Sequence, residues 1–168
     1  MKNNALPQTA GHRIIDVTLD SHSLTTRSAD IEVERHRAVS DLLADNSFRL
    51  VAPDNASGPY RLALSLEEER LVLHIACTKT GHQEALRLPL SPFRKHIQDY
   101  IVLCDNFYKT ARAGQIHQLE AIDVGRRSIH DEAALLLAET IENKVILDKP
   151  TARRLFSLIY VLHIRTLK

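Results

Sequence analysis

The sequence predicts an α+β fold with one domain, in which about four helices pack on an antiparallel sheet of hairpins from the N-terminal half. Apolar residues alternate with period two in several runs before residue 90, and they recur mainly with helical spacing after it. Strands followed by helices favour this class over a doubly wound parallel sheet. A chain of 168 residues fits one domain. We expect a flexible tail at residues 1–12 and one globular domain over 13–168.

The first strand and the first helix are predicted from short apolar patterns. Alternation over residues 13–19 indicates a strand, and apolar residues at helical spacing indicate a helix over 31–45. Ser28 or Asp30 can cap that helix, since either side chain accepts from free N–H groups in a first turn. Residues 48–51 form a short strand candidate.

Three further strands are predicted between the first helix and the middle of the chain. Residues 60–66 and 71–77 alternate between apolar and polar positions and are separated by a charged turn. This pattern is typical of an antiparallel hairpin with one buried face and one wet face. A third strand is predicted over residues 85–90.

Two long helices follow the predicted sheet. Ser91 is a suitable N-cap, and Pro92 is tolerated in a first turn, so this pair is predicted to begin the longest helix. Gly114 lies where a left-handed residue ends a helix. The next helix is predicted to begin just after Gly125 and to end at Asn143.

The last helix is predicted to be the centre of the core. A short strand over residues 145–147 precedes it, and Asp148 or Thr151 can cap it. Apolar residues over 155–164 cover nearly its whole circumference. A helix that is apolar all round is buried on several sides.

Composition excludes several classes of function. The 22 Lys and Arg residues nearly balance the 21 Asp and Glu residues, so no general field attracts a polyanion. Cys77 in a strand and Cys104 on an apolar helix face are expected to be inert core residues. We expect no metal site and no cofactor. Residues 121–168 hold 8 basic and 6 acidic residues, so any basic feature is local to the C-terminal third.

The segment over residues 120–132 is the first candidate anion site. Gly125 is predicted to precede a helix start, where free backbone N–H groups point outward. Arg126 and His130 are four residues apart and share a helix face, and Arg127 lies on the adjacent face. Guanidinium groups beside such a helix start would bind phosphate or carboxylate.

A purely structural interpretation of the same segment stays open. Asp123 or Ser128 can cap the helix, and Arg127 can pair with Asp131 across one turn. These roles would leave no ligand site in the segment.

The second candidate is the pair Arg153 and Arg154 at the start of the last helix. Two arginines beside an otherwise apolar helix must reach a carboxylate, a ligand or water. In the structural alternative, the two arginines reach solvent or pair with Asp148 and Glu142. If the two helix starts meet, the predicted anion-binding residues are Arg126, Arg127, His130, Arg153 and Arg154.

Two other patterns are interpreted as structural. The mixed charges over residues 32–37 are typical of a solvated helix face. Tyr100, Phe107 and Tyr108 lie at core spacing, which indicates packing and not a platform for nucleic-acid bases.

Several short segments along the chain form a recognisable combination. They are residues 15–20 (IDVTLD), 46–48 (NSF), 58–62 (GPYRL), 91–94 (SPFR), 120–127 (EAIDVGRR) with His130, and 151–156 (TARRLF). Together they resemble a bacterial, mainly alphaproteobacterial, uncharacterised protein family numbered 0262. The resemblance implies a bacterial cytoplasmic protein, and it implies no activity, substrate or catalytic residue.

Three functions are compatible with these residues. The one that they favour is a non-enzymatic binding or regulatory protein with a basic anion pocket. The alternative is a small-metabolite enzyme with His130 as acid or base and the arginines as a substrate clamp. It requires His130 to line a pocket and to contact a carboxylate such as Asp123 or Glu120. An RNA- or ribosome-associated protein is the second alternative.

The sequence also leads to expectations about partners and location. We expect a small anionic ligand, together with a protein partner or a second copy of the chain. We expect neither a membrane nor a nucleic acid as a partner, and a cytoplasmic location.

Overall fold

The computed structural model describes residues 11–20, 29–51, 53 and 56–166. The helices pack on the buried face of a four-stranded sheet, and two short strands form a second sheet. In chain order the elements are β1 (Ile14–Leu19), α1 (Ala29–Ala44), β2 (Phe48–Leu50), β3 (Tyr60–Glu67), β4 (Arg70–Cys77), β5 (Gln83–Pro89), a 3₁₀ turn (Ser91–Phe93), α2 (Arg94–Arg112), α3 (Ile116–Ile141), β6 (Val145–Leu147) and α4 (Lys149–Thr166).

The main sheet has the order β1-β3-β4-β5 and confirms the α+β class. The predicted hairpin is present, with Leu64 opposite Leu73 and Glu67 opposite Arg70. The prediction of a purely antiparallel sheet is wrong for its first strand, because β1 runs parallel to β3. A long connection containing α1 and β2 separates these two strands, and connections of this length permit parallel pairing.

Helix α4 is the centre of the core, as predicted. Phe156, Leu158 and Val161 are completely buried. The helix packs against α1, α3 and β3. At its start, the Thr151 N–H donates to Asp148 Oδ1 at 3.0 Å, which confirms Asp148 as the cap.

The helix predicted after β5 begins with a 3₁₀ turn. Pro92 lies in this turn as expected, but no side-chain capping bond is formed there, so Ser91 is not an N-cap. Gly114 follows α2 with φ +72, as the left-handed position requires. The prediction that this is the longest helix is wrong, because α2 has 19 residues and α3 has 26.

The predicted start of α3 just after Gly125 is also wrong. The helix begins at Ile116 and continues through Gly125 to Ile141. An interior glycine costs a helix only about 1 kcal/mol relative to alanine, so the packing of the long helix outweighs it. Asp123 and Ser128 therefore lie inside the helix and do not cap it.

Some predictions fall at the limits of the described residues. Ser28 and residues 1–10 of the predicted tail lie outside them, and Asp30 lies within α1. His12 is described, and its carbonyl accepts from the Phe48 N–H at 2.9 Å. The single domain over residues 13–168 stays a prediction.

Candidate functional site

A groove with two adjoining chambers lies between α1, α3 and α4, and Tyr100 of α2 also borders it. The small chamber has a volume of about 150 Å³, and the large chamber has about 410 Å³. Five of the described residues line both chambers: Glu34, Arg37, His130, Arg153 and Ser157. We call the two chambers together the basic groove.

The groove collects all five predicted anion-binding residues. Arg126 and Arg127 line the small chamber, Arg154 lines the large chamber, and His130 and Arg153 line both. Arg126 and Arg127 project from the middle of α3, so the premise that two helix starts form the pocket holds only for α4. Because α3 already begins at Ile116, Arg126 and Arg127 lie near its midpoint and not at its start, and they face the groove from there.

Asp123 holds the two arginines of α3. Arg126 Nη2 donates to Asp123 Oδ1 at 2.7 Å, and Arg127 Nε lies 3.2 Å from Asp123 Oδ2. The Arg126 guanidinium also lies 4.3 Å from the centre of the Phe107 ring, a cation–π distance. The alternative pairing of Arg127 with Asp131 is therefore not the one adopted.

The arginines of α4 diverge to different partners. Arg153 Nη1 lies 3.1 Å from Asp131 Oδ1, and Arg154 Nη1 donates to the Asp45 carbonyl at 2.6 Å. Lys149 Nζ lies 3.9 Å from the second oxygen of Asp131. Neither arginine pairs with Asp148 or Glu142, the carboxylates named in the structural alternative, and Arg153 pairs with Asp131 instead.

His130 is nearly buried and fixed by two polar contacts. It is 9% exposed, and its ring stacks on Tyr100 with the ring centres 5.3 Å apart. Arg153 Nε donates to Nδ1 at 3.3 Å. Since arginine can only donate, Nδ1 is the acceptor and Nε2 carries the proton. That proton is then donated to Ser157 Oγ at 2.8 Å, and Ser157 donates in turn to the Arg153 carbonyl at 3.3 Å.

This environment keeps the imidazole neutral. Burial, followed by the positive charge of Arg153, lowers the pKa of His130 to about 4. His130 lines the groove, as the enzyme alternative requires, but its ring nitrogens contact Arg153 and Ser157 and not Asp123 or Glu120. Ser157 accepts a hydrogen bond from His130 in this arrangement, so the imidazole is not placed as a base that could activate the serine hydroxyl as a nucleophile.

Glu34 is a groove residue that the sequence interpretation missed. Its two carboxylate oxygens accept from the hydroxyls of Tyr100 at 3.2 Å and Tyr108 at 3.4 Å. It lies four residues before Ala38 and eight before Leu42, the two buried residues of α1. That spacing could have placed Glu34 on the inward face of the helix.

The described residues contain no group of three or more His, Cys, Asp or Glu side chains that could hold a metal ion. Cys77 and Cys104 are both buried, and burial raises the pKa of each thiol. Among the helices in the described ranges, none combines the length and the apolar character needed to cross a bilayer.

The fold and the groove define an α+β protein with an arginine-lined cavity between three helices. A model described as an uncharacterised protein family, UPF0262, matches residues 11–165. The chain belongs to this family, which confirms the resemblance found in the short sequence segments. No solved structure matches the chain.

Relatives named UPF0262 protein come from alphaproteobacteria. The protein of Erythrobacter litoralis is 44% identical over 158 residues, which cover 93% of this chain and 99% of the relative. That of Xanthobacter autotrophicus is 48% identical over 90% of this chain and 92% of the relative. That of Caulobacter vibrioides is 46% identical over 93% of this chain and 96% of the relative.

Proposed function

We propose that this chain is a non-enzymatic binding protein, and that the basic groove binds a small anion bearing phosphate or carboxylate groups. One observation carries the proposal: among the described residues, six cationic side chains line the two chambers, against the two carboxylates of Glu34 and Asp41. The cationic residues are Arg37, Arg126, Arg127, Lys149, Arg153 and Arg154.

The carboxylates outside the groove favour binding because they orient the arginines. Asp123 contacts Arg126 and Arg127, and Asp131 contacts Arg153. Guanidinium groups that are already oriented lose less side-chain freedom when a ligand arrives. A fixed set of planar donors is also suited to the paired oxygens of phosphate and carboxylate.

The state of His130 favours binding over acid–base catalysis. Its Nδ1 accepts from Arg153 and its Nε2 donates to Ser157, so both nitrogens are occupied. In this role the imidazole is a neutral spacer that holds Arg153 at the junction of the chambers.

Thermal unfolding with and without inorganic phosphate tests the proposal. At a phosphate concentration 100 times Kd, binding stabilises the native state by about 2.7 kcal/mol, so Tm rises by several degrees. The double variant Arg126→Ala/Arg153→Ala should lose this shift. Arg37→Ala should also reduce it, and this variant breaks no ion pair, because none of the described residues forms one with Arg37.

Arg87→Ala is the matched control, because Arg87 is exposed on β5 and lies outside the groove. It should keep the full phosphate-dependent shift. An equal shift in the wild type, the double variant and Arg37→Ala would show that phosphate does not bind in the groove.

A further inference from the structure

The two chambers of the basic groove differ in the acidic groups that they offer. Among the described residues that line the small chamber, four arginines face one carboxylate, that of Glu34. Both oxygens of Glu34 already accept hydrogen bonds from Tyr100 and Tyr108. This chamber therefore offers donors to a ligand and has little free acceptor capacity.

The large chamber offers an acceptor as well as donors. Asp41 lines it from α1, four residues after Arg37 and opposite Lys149 and Arg154 of α4. Asp41 is exposed, and within the described residues its carboxylate forms no ion pair. A carboxylate of this kind accepts hydrogen bonds from hydroxyl groups and repels a second phosphate.

The remaining lining of the large chamber excludes some ligand shapes. Of the described residues that line it, Ala38 and Pro150 are apolar, and His130 alone is aromatic. His130 is 9% exposed, with Tyr100 stacked on its ring and Phe156 packed against it edge to face, so it offers no free aromatic face on which a nucleobase could stack. Its volume of about 410 Å³ lies in the range of small-molecule sites.

We propose that the ligand is the phosphate monoester of a polyhydroxylated compound. This inference rests on the proposed function and specifies its ligand. The phosphate occupies the small chamber, where Arg126, Arg127 and Arg153 converge. The terminal oxygens of a phosphate monoester can accept from more of these donors than the two oxygens of a carboxylate can. The hydroxyl-bearing part extends past the junction into the large chamber and donates to Asp41.

Isothermal titration with three probes tests this assignment: inorganic phosphate, sorbitol 6-phosphate and hexyl phosphate. The wild type should bind sorbitol 6-phosphate about ten times more tightly than hexyl phosphate, since a hydroxyl bonded to a carboxylate contributes about that factor. Asp41→Ala should abolish the preference and leave the affinity for inorganic phosphate equal or higher. Asp99→Ala, at an exposed position of α2 outside the groove, should behave as the wild type.

The outcomes separate this inference from the proposed function. Failure of all three probes to bind would contradict both. Binding of inorganic phosphate with equal affinity for the two esters, or with tighter binding of hexyl phosphate, would overturn the ligand assignment alone. A preference for sorbitol 6-phosphate that survives in Asp41→Ala would also overturn the assignment, because another group would then supply the acceptor.

Discussion

At the scale of single residues, His130 shows how burial and one neighbour determine what a side chain can do. Its position four residues after Arg126 suggested an acid or base beside a clamp. In the fold, Arg153 donates to one ring nitrogen, and the ring stacks on Tyr100. Both contacts come from other helices, so the residues next to His130 in sequence could not reveal them.

Acidification should destabilise the protein through His130. Its pKa is lowered to about 4 in the fold, whereas an unfolded histidine titrates near 6.5. As pH falls through 6.5, the unfolded state gains a proton that the native state does not bind. The free energy of unfolding therefore falls until pH reaches about 4, by up to roughly 3 kcal/mol.

Urea unfolding at pH 7 and pH 4.5 measures this contribution. The wild type should lose more stability between these pH values than His130→Asn, because the variant lacks the titrating group. Partial burial lowers the pKa values of His12 and His163 as well. Both histidines are present in the wild type and in His130→Asn, so their contributions cancel in the comparison. Equal losses of stability in the wild type and in His130→Asn would show that the fold does not lower the pKa of His130.

At the scale of elements, the spacing of apolar residues predicted the strands and helices whose formation depends on neighbouring parts of the chain. The alternation that pairs Leu64 with Leu73 identified the hairpin, and the apolar circumference of α4 identified the central helix. The direction of β1 depends on its pairing with β3 some forty residues later, which no local pattern contains. The start of α3 was missed because Gly125 was interpreted as a boundary.

Two glycine substitutions test the continuity of α3. Gly125→Ala should stabilise the protein by about 1 kcal/mol, because alanine favours a helix interior. An added Cβ there would lie 3.7 Å from the nearest side-chain atom of Leu103, an ordinary contact. Gly114→Ala should destabilise it by a similar amount, since φ +72 strains a residue with a side chain.

Chemical denaturation of both variants gives the comparison directly. Stabilisation by Gly125→Ala together with destabilisation by Gly114→Ala would match a helix that begins at Ile116. A loss of stability in Gly125→Ala as large as that in Gly114→Ala would place a helix boundary at Gly125 instead.

At the scale of the whole molecule, the near balance of charges conceals a concentrated basic groove. The formal net charge is +1, yet cationic residues from α1, α3 and α4 line one cavity. The two Arg-Arg pairs were visible in the sequence as local features. The contributions of Glu34 and Arg37 were not, since α1 reaches α4 only through tertiary packing across more than a hundred residues.

The central claim is that the basic groove binds small anions, and NMR titration of the uniformly ¹⁵N-labelled protein with inorganic phosphate tests it most directly. We predict saturable shifts of amide resonances in residues 34–41, 126–130 and 149–157, which border the groove. Resonances near Arg61 and His74, on exposed positions of the sheet outside the groove, should not change. Shifts confined to that sheet surface, or no saturable shifts at all, would contradict the claim.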